Sequence, residues 1–226
     1  MDIQHIKSIS ELLSANGFNK PTHPLISVID VSKWVIGPER IGKKVMMDLY
    51  TIALKDGNCG MDYGRNTYDF NDGVLIFTGP QQVISTRREQ RAGDINGWML
   101  CFHPDLIRNT SLGQRIDDYG FFSYVVHEAL HLSETEQSTL NECVNLIKAE
   151  IGARIDNHSQ RVIVSTLELL LNFSLRYYER QFNTRAAHNG DVIAKFEGLL
   201  KDYYKEGKFA TIGTPAIEYF AQEVHL

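Results

Sequence analysis

The chain has 226 residues, 43% of them hydrophobic, and a formal net charge of −5. This is enough apolar material for one or two ordinary hydrophobic cores. No apolar run approaches membrane-spanning length, and no basic segment precedes an apolar one, so the sequence predicts neither a membrane span nor a secretion signal. The acidic balance also lacks the basic excess that binding to DNA phosphates requires.

The cysteines are odd in number, far apart and outside any CxxC spacing: Cys59, Cys101 and Cys143. This pattern argues against a disulfide framework and against a zinc knuckle. We therefore expect a reducing, cytoplasmic location.

The apolar segments between about residues 25 and 122 are short and separated by turn residues. Strand-like runs occur at 25–31, 45–54, 73–78, 82–85 and 97–103. This spacing predicts an antiparallel β-barrel or sandwich. The last run ends at Pro104, which cannot donate to a strand ladder but suits the first turn of a helix, so a short helix should begin there.

After Val126 the hydrophobic period becomes helical. Ser133 and Glu136 form a capping-box pattern, which predicts a helix from about 133 to 155. Two further helices are predicted at about 191–204 and from Thr214, where Thr214-Pro215 supplies an N-cap and a proline at the first helical position.

The helix predicted at about 159–182 is apolar on more than one face and must be buried on most sides. Packing on the barrel and on the preceding helix explains this pattern, and so does a helix shared between two subunits. In the second interpretation three leucines form the dimer interface: Leu167, Leu170 and Leu171.

The segment 127–131, HEALH, matches the pattern in which two histidines one helical turn apart bind zinc and the glutamate acts as a base. The capping box at Ser133 begins a new helix directly afterwards, which leaves HEALH only about one turn long. Three residues are available by spacing as the third zinc ligand: Glu150, His158 and Glu168. None of them belongs to a recognisable motif, and we expect no metal ion, no cofactor and no catalytic residues.

Aromatic and cationic side chains in or beside the predicted strands suit small-molecule recognition, because ligand pockets combine apolar walls with a few directed polar groups. The candidate ligand-binding residues are Tyr50, Tyr63, Arg65, Tyr68, Phe77, Trp98 and Phe102. Many of them are equally suited to a core, and Arg65 is close enough in sequence to pair with a neighbouring aspartate. Strand alternation separates Trp98 from Met99 but does not say which face is inside.

Several segments, taken in sequence order, resemble the AraC family of transcription regulators. HPLISVID, YGRNTYDFNDG, GWMLCFHPDLI and FFSY are similar to successive parts of its sensor barrel, and HSQRVIVSTLELLLNFSLRYYERQF is similar to its linker helices. DVIAKFEGLL and TPAIEYFAQEVHL resemble the first two helices of its DNA-binding domain. The resemblance extends from about residue 24 over most of the chain.

The resemblance implies an α+β protein with a cupin-like antiparallel β-barrel, α-helical linker and dimerisation helices, and the first helices of a helix-turn-helix domain. We expect an N-terminal helical arm at 1–18, the sensor barrel at 19–126, the linker and dimerisation region at 127–187 and the start of the DNA-binding domain at 188–226. The recognition helix of the first motif and the whole second motif are missing, with truncation as the expected cause and a natural short protein that antagonises dimerisation as the alternative. We therefore expect no sequence-specific DNA binding by this chain alone.

The function predicted from the sequence is the ligand-sensing and dimerisation portion of an AraC-type regulator. Such a portion is a cytoplasmic, non-enzymatic homodimer that binds a small-molecule effector, and promoter DNA is a partner of the full-length regulator. The alternative is a metal-dependent barrel enzyme of the cupin type, although no predicted strand carries the two alternating histidines that such a site usually has. A zinc hydrolase that uses HEALH is a more distant alternative.

Overall fold

The chain has mixed α+β structure, as its sequence predicts. The computed structural model describes residues 3–56, 61–63, 66–68, 73–86, 89–122 and 129–189, together with residues 199, 203, 205 and 213. The chain divides into two compact units, Met1–Tyr177 and Tyr178–Leu226. Apart from single positions, the helices predicted at 191–204 and from Thr214 lie outside the described residues.

The described strands and helices are as follows. The strands are β1 (Ile3–Ile6), β2 (Ile26–Asp30), β3 (Lys44–Met47), β4 (Tyr50–Asp56), β5 (Met61–Tyr63), β6 (Asn66–Tyr68), β7 (Val74–Thr78), β8 (Val83–Thr86), β9 (Asn96–Phe102) and β10 (Leu130–His131). The α-helices are α1 (Ile9–Ala15), α2 (Ser111–Arg115), α3 (Glu134–Gly152) and α4 (Ser159–Asn189). Short 3₁₀ helices occur at Val31–Lys33, Pro38–Arg40, Pro104–Leu106, Ile116–Asp118 and Gly120–Phe122.

The strands form two five-stranded sheets. Sheet I has the order β1-β3-β8-β5-β6, and sheet II has the order β10-β7-β4-β9-β2. Strand β1 is parallel to β3, whereas the other paired strands are antiparallel. The described strands do not close into a barrel, so the closed barrel expected from the sequence is replaced by two open sheets. Strand β1 adds a sheet element to the arm that we expected to be helical.

The apolar run at 45–54, predicted as one strand, is two strands in different sheets. Strand β3 belongs to sheet I and β4 to sheet II, and only Asp48 and Leu49 join them. The amide of Asp48 donates to the carbonyl oxygen of Ile6 at 2.9 Å, while the Leu49 side chain is fully buried. This hydrogen bond continues the pairing of β3 with β1, so the chain stays in sheet I as far as Asp48 and enters sheet II with β4.

Sheet II is covered on both faces. Towards sheet I, one core cluster joins residues of β4, β7 and β9 with residues of β1, β3 and α1; it includes Ile6, Leu12, Met47, Ala53, Ile76 and Met99. On the opposite face, aromatic rings pack together: Tyr50 stacks on Phe102 with ring centroids 4.9 Å apart, and Phe77 contacts Phe121 at 4.1 Å. The two faces alternate along each strand because successive side chains point to opposite sides.

The helices that follow the sheets begin largely where the sequence predicts. Ser133 and Glu136 form both hydrogen bonds of the capping box, which confirms the predicted start of α3. Trp98 Nε1 in sheet II donates to Asn141 Oδ1 in α3 at 2.7 Å. The Tyr119 hydroxyl donates to Asn172 Oδ1 in α4 at 2.8 Å. A side-chain hydrogen bond thus attaches α3 to the aromatic side of sheet II, and another attaches α4 to the segment between β9 and α3.

The end of β9 also confirms the sequence-based prediction, since a 3₁₀ helix begins at Pro104. At the other end of this strand, Gly97 has a φ of +127°, and a Cβ at this position would collide with the carbonyl oxygen of Leu54. Only glycine fits here, because the backbones of β9 and β4 approach closely and the conformation is one that other residues rarely adopt. In the described residues, no helix combines the length and apolarity needed to cross a membrane.

Candidate functional site

A cavity of about 110 Å³ lies between the two sheets. Its walls include Ala53, Ile76 and Met99 from sheet II and Val45 and Ile84 from sheet I. The N-terminal segment closes another side through three residues of β1 and α1: Gln4, Ile6 and Leu12. Such an enclosed, mainly apolar space with a few polar groups is the usual form of a small-molecule site.

Among the described residues, those that carry a charge in the cavity wall are all cations: Arg40, Lys43 and Lys55. Among the described residues, no aspartate or glutamate lines the cavity, and none of the ion pairs between described residues involves these three. Arg40 and Lys43 belong to one turn, in which the Lys43 amide donates to the Arg40 carbonyl oxygen at 3.2 Å. The cavity wall therefore has a positive charge that no described carboxylate balances.

The cations lie away from the connection between β3 and β4. Met47 and Tyr50 are the ends of these strands that the short connection joins, so Lys43 and Lys55 lie at the opposite ends. Thr51 lies next to the connection, on the same face of β4 as Lys55. Lys55 is four residues further along the strand than Thr51, which corresponds to about 13 Å. The cavity thus has a threonine end and a cationic end.

Asn16, just after α1, holds the wall near the cationic end together. Its Oδ1 accepts hydrogen bonds from Trp34 Nε1 at 2.8 Å and from Arg40 Nη1 at 2.6 Å, and its Nδ2 donates to the Leu12 carbonyl oxygen at 2.7 Å. Buried Gln90 anchors the adjoining loop, because its Nε2 donates to the carbonyl oxygens of Val31 and Trp34 at 3.1 Å each. These hydrogen bonds fix the positions of Trp34 and Arg40 before any ligand arrives.

Two buried hydroxyls lie at the other end of the cavity. Thr51 and Thr78 are 4% and 3% exposed and are paired across β4 and β7. Both line the cavity, and in the part of the chain that the structure describes neither side chain has a hydrogen-bond partner. Because buried polar groups are nearly always paired, two such hydroxyls indicate a position for a polar ligand atom or an ordered water.

Four of the candidate ligand-binding residues lie on the other face of sheet II. Tyr50, Phe77, Trp98 and Phe102 face the helical side, where they contact Phe121, Phe122 and Asn141. The cavity wall formed by described residues contains none of these four. These four residues therefore line the helical face of the sheet and not the cavity. The described residues of the cavity wall are not among the candidates predicted from the sequence.

The other three candidate ligand-binding residues are Tyr63, Arg65 and Tyr68. Tyr63 ends β5 and Tyr68 ends β6, in the segment of sheet I next to β8. Their side chains, and Arg65 as a whole, lie outside the described residues. A ligand-binding role for them stays a prediction.

The residues of the predicted dimer interface are buried within the chain. Leu167, Leu170 and Leu171 are each 0% exposed. Helix α4 exposes other apolar side chains instead, with Val162 and Leu169 both 45% exposed. The surface that α4 offers to a second copy therefore contains Val162 and Leu169, and dimerisation itself stays a prediction.

The zinc-like HEALH segment is only partly described, since His127 and Glu128 lie outside the described residues. Leu130 and His131 form β10 and pair with Leu75 and Val74 of β7. His131 is thus in a strand, not on the helix that the zinc pattern requires. Within the described ranges, no three potential metal ligands lie together.

Burial shifts the pKa values of several titratable groups, among them those of His23 and Cys101. Burial lowers the pKa of His23, whose Nδ1 accepts a hydrogen bond from the Leu25 amide at 3.2 Å. Burial strongly raises the pKa of the Cys101 thiol, which is 0% exposed and faces the core between the sheets. Both groups are therefore neutral at pH 7, and a thiol in this state is a poor nucleophile.

Comparison with known proteins adds no family assignment, since the sequence matches no protein-family model and no curated protein at a significant level.

Proposed function

We propose that this chain is the ligand-sensing and dimerisation portion of an AraC-type transcription regulator. It is a cytoplasmic, non-enzymatic protein whose effector binds between the two sheets. The enclosed cavity with its cationic end carries this proposal. The order of elements supports it, because sheets that enclose a ligand site are followed along the chain by helices suited to linking and dimerisation.

The sheet domain in this proposal is cupin-like. Cupins are built from two antiparallel sheets in a jelly roll, and two facing five-stranded sheets with a cavity between them are compatible with that architecture. Helix α4 pairs with its counterpart in a second copy through Val162 and Leu169. In the full-length regulator, promoter DNA is a further partner.

Ligand binding is tested with a thermal-shift screen of small metabolites, because a compound that binds the folded state raises its melting temperature by mass action. Variant Ile84→Trp fills the cavity from β8, whereas Val83→Trp adds the same bulk at a neighbouring residue outside the cavity wall. We expect a compound that stabilises the wild type and Val83→Trp but not Ile84→Trp. Equal stabilisation of both variants, or no stabilising compound, would contradict the proposal.

Metal analysis separates this proposal from the cupin-type enzyme. Purified protein should contain no stoichiometric transition metal, and His131→Ala should leave the metal content unchanged because His131 belongs to strand β10. Stoichiometric zinc that disappears in His131→Ala would instead support the hydrolase alternative.

A further inference from the structure

The cavity wall combines apolar side chains with charges of one sign, and this combination selects a class of ligand. We propose that the cavity binds a small organic acid, with an apolar body between the sheets and one carboxylate held by Arg40, Lys43 and Lys55. The inference rests on the proposed sensing function and names the chemistry of its effector.

The cationic end supplies the selectivity for an anion. Arg40, Lys43 and Lys55 come from two separate segments but line one cavity, which none of the described acidic residues does. Lys55 is half-buried, on the face of β4 that also carries the apolar wall residue Ala53. A carboxylate placed there forms charge-assisted hydrogen bonds and balances the positive charge, whereas an ammonium group adds repulsion.

The rest of the wall determines the body of the ligand. Between the cationic end and the threonine end, the cavity is bounded mainly by Val45, Ala53, Ile76, Ile84 and Met99. A polyhydroxylated ligand would lose its hydrogen bonds to water against these side chains and find few replacements. An alkyl or phenylalkyl chain matches the chemistry of these walls.

The threonine end allows one further polar group. Thr51 lies about 13 Å along β4 from Lys55, and Thr78 is its partner on β7, so the two hydroxyls meet the end of the ligand that is remote from its carboxylate. They have no partner among the described residues, and a ligand oxygen or a water beside the ligand completes their hydrogen bonding. The wall therefore recognises a charge at one end and, less strongly, a polar atom at the other.

The test compares three compounds that share one apolar body: phenylbutyrate, phenylbutanol and phenylbutylamine. Their affinities for the purified full chain are measured by isothermal titration calorimetry. We expect phenylbutyrate to bind about tenfold more tightly than phenylbutanol, as one hydrogen-bonded charge contributes roughly that factor, and phenylbutylamine to bind most weakly. Comparable or tighter binding of the alcohol or the amine, or no binding of the acid, would overturn the inference.

Substitutions of the two wall lysines test whether they bind the carboxylate of the ligand. Lys43→Gln and Lys55→Gln should each weaken phenylbutyrate about tenfold. Lys44→Gln is the matched control, since Lys44 is exposed, directly follows Lys43 and does not line the cavity. The double variant Lys43→Glu/Lys55→Glu should reverse the ranking and favour phenylbutylamine. Unchanged affinity in both single glutamine variants, or an equal loss in Lys44→Gln, would contradict the assignment.

Failure of this inference is distinguishable from failure of the proposed function. If phenylbutyrate does not bind but another metabolite stabilises the wild type and not Ile84→Trp, the sensing cavity is supported and the ligand class is wrong. If no compound stabilises the wild type, both are wrong.

Discussion

Arg40 Nη1 and Asn16 Oδ1 are 2.6 Å apart, and the same oxygen accepts the indole hydrogen bond of Trp34 at 2.8 Å. One amide oxygen at the end of α1 thus positions both a cation and an aromatic ring in the wall of the cavity. The N-terminal segment is attached to the sheets through these polar contacts as well as through the apolar side chains of α1.

Asn16→Ala removes the shared acceptor and should lower the free energy of unfolding by about 1–2 kcal/mol. The indole of Trp34 then becomes more mobile and more hydrated, so its fluorescence should shift to longer wavelength. The measurement is made in a Trp98→Phe background, because Trp98 is the other tryptophan of the chain. Asn19→Ala, at an exposed position nearby, should leave both the emission and the stability unchanged.

Gly97→Ala should destabilise the protein by roughly 2–4 kcal/mol, because it combines a backbone conformation unfavourable to alanine with a collision against the Leu54 carbonyl group. Gly152→Ala is the matched substitution, since a Cβ at the end of α3 meets nothing within 4 Å. Urea unfolding of both variants tests this difference. Equal stability of the two would show that β9 can move away from β4 at little cost.

Leu169→Glu should shift the proposed dimer towards monomer without unfolding it, because Leu169 is 45% exposed on α4. Leu170→Glu places a charge at a position that is 0% exposed and should destabilise the monomer itself by several kcal/mol, on the order of 3–5. Analytical ultracentrifugation gives the oligomeric state, and circular dichroism gives the stability. A wild type that is monomeric at every concentration would exclude the dimer.

His23 should make the stability depend on pH in the mildly acidic range. Burial lowers its pKa in the folded protein below the ordinary value of 6.5, so the unfolded chain binds the proton more readily. Its contribution to stability is complete above pH 6.5 and is lost as the pH falls from there towards the folded-state pKa. His23→Gln should flatten this part of the stability profile measured by urea unfolding. If the free energy of unfolding falls with the same slope in the wild type and in His23→Gln, groups other than His23 cause the pH dependence.

Elements with strong local signals were predictable from the sequence. The capping box at Ser133 specifies the start of α3 through two reciprocal hydrogen bonds, and Pro104 ends the pairing of β9 because it lacks an amide hydrogen. The division of residues 45–54 into β3 and β4 was not predictable, because the run is apolar almost throughout and the break depends on tertiary pairing: β3 pairs with β1 and β8, whereas β4 pairs with β7 and β9.

The sequence did not show which face of β9 points towards the cavity. Trp98 and Phe102 on one face and Met99 and Cys101 on the other are all buried, because sheet II is covered on both sides. Because neither face of β9 is polar, the alternation of its side chains divides them into two sets but does not show which set faces a cavity. The size and aromatic character of Trp98 and Phe102 favoured them as ligand contacts, yet such residues equally suit the packing of helices on a sheet.

The cations of the cavity lacked any sequence signal of their own. Arg40 and Lys43 lie in a turn rich in charged residues, a pattern that usually belongs to a solvated loop. Lys55 is the last inward-facing residue of β4, where a lysine is equally ordinary. Their common location depends on how two sheets meet, which is a tertiary relationship between segments that carry no shared motif.

Strands β4 and β9 form a partition, a single layer of backbone that separates the cavity from the aromatic side chains on the helical side of sheet II. Ala53 and Met99 face the cavity, while Ile52 and Leu100, their immediate neighbours along the chain, face the helical side. Protein interiors are as dense as organic crystals and yield little to local pressure. A ligand that pushes this partition outward therefore has to displace the aromatic rings behind it, which links the filling of the cavity to the packing of the helical side against sheet II.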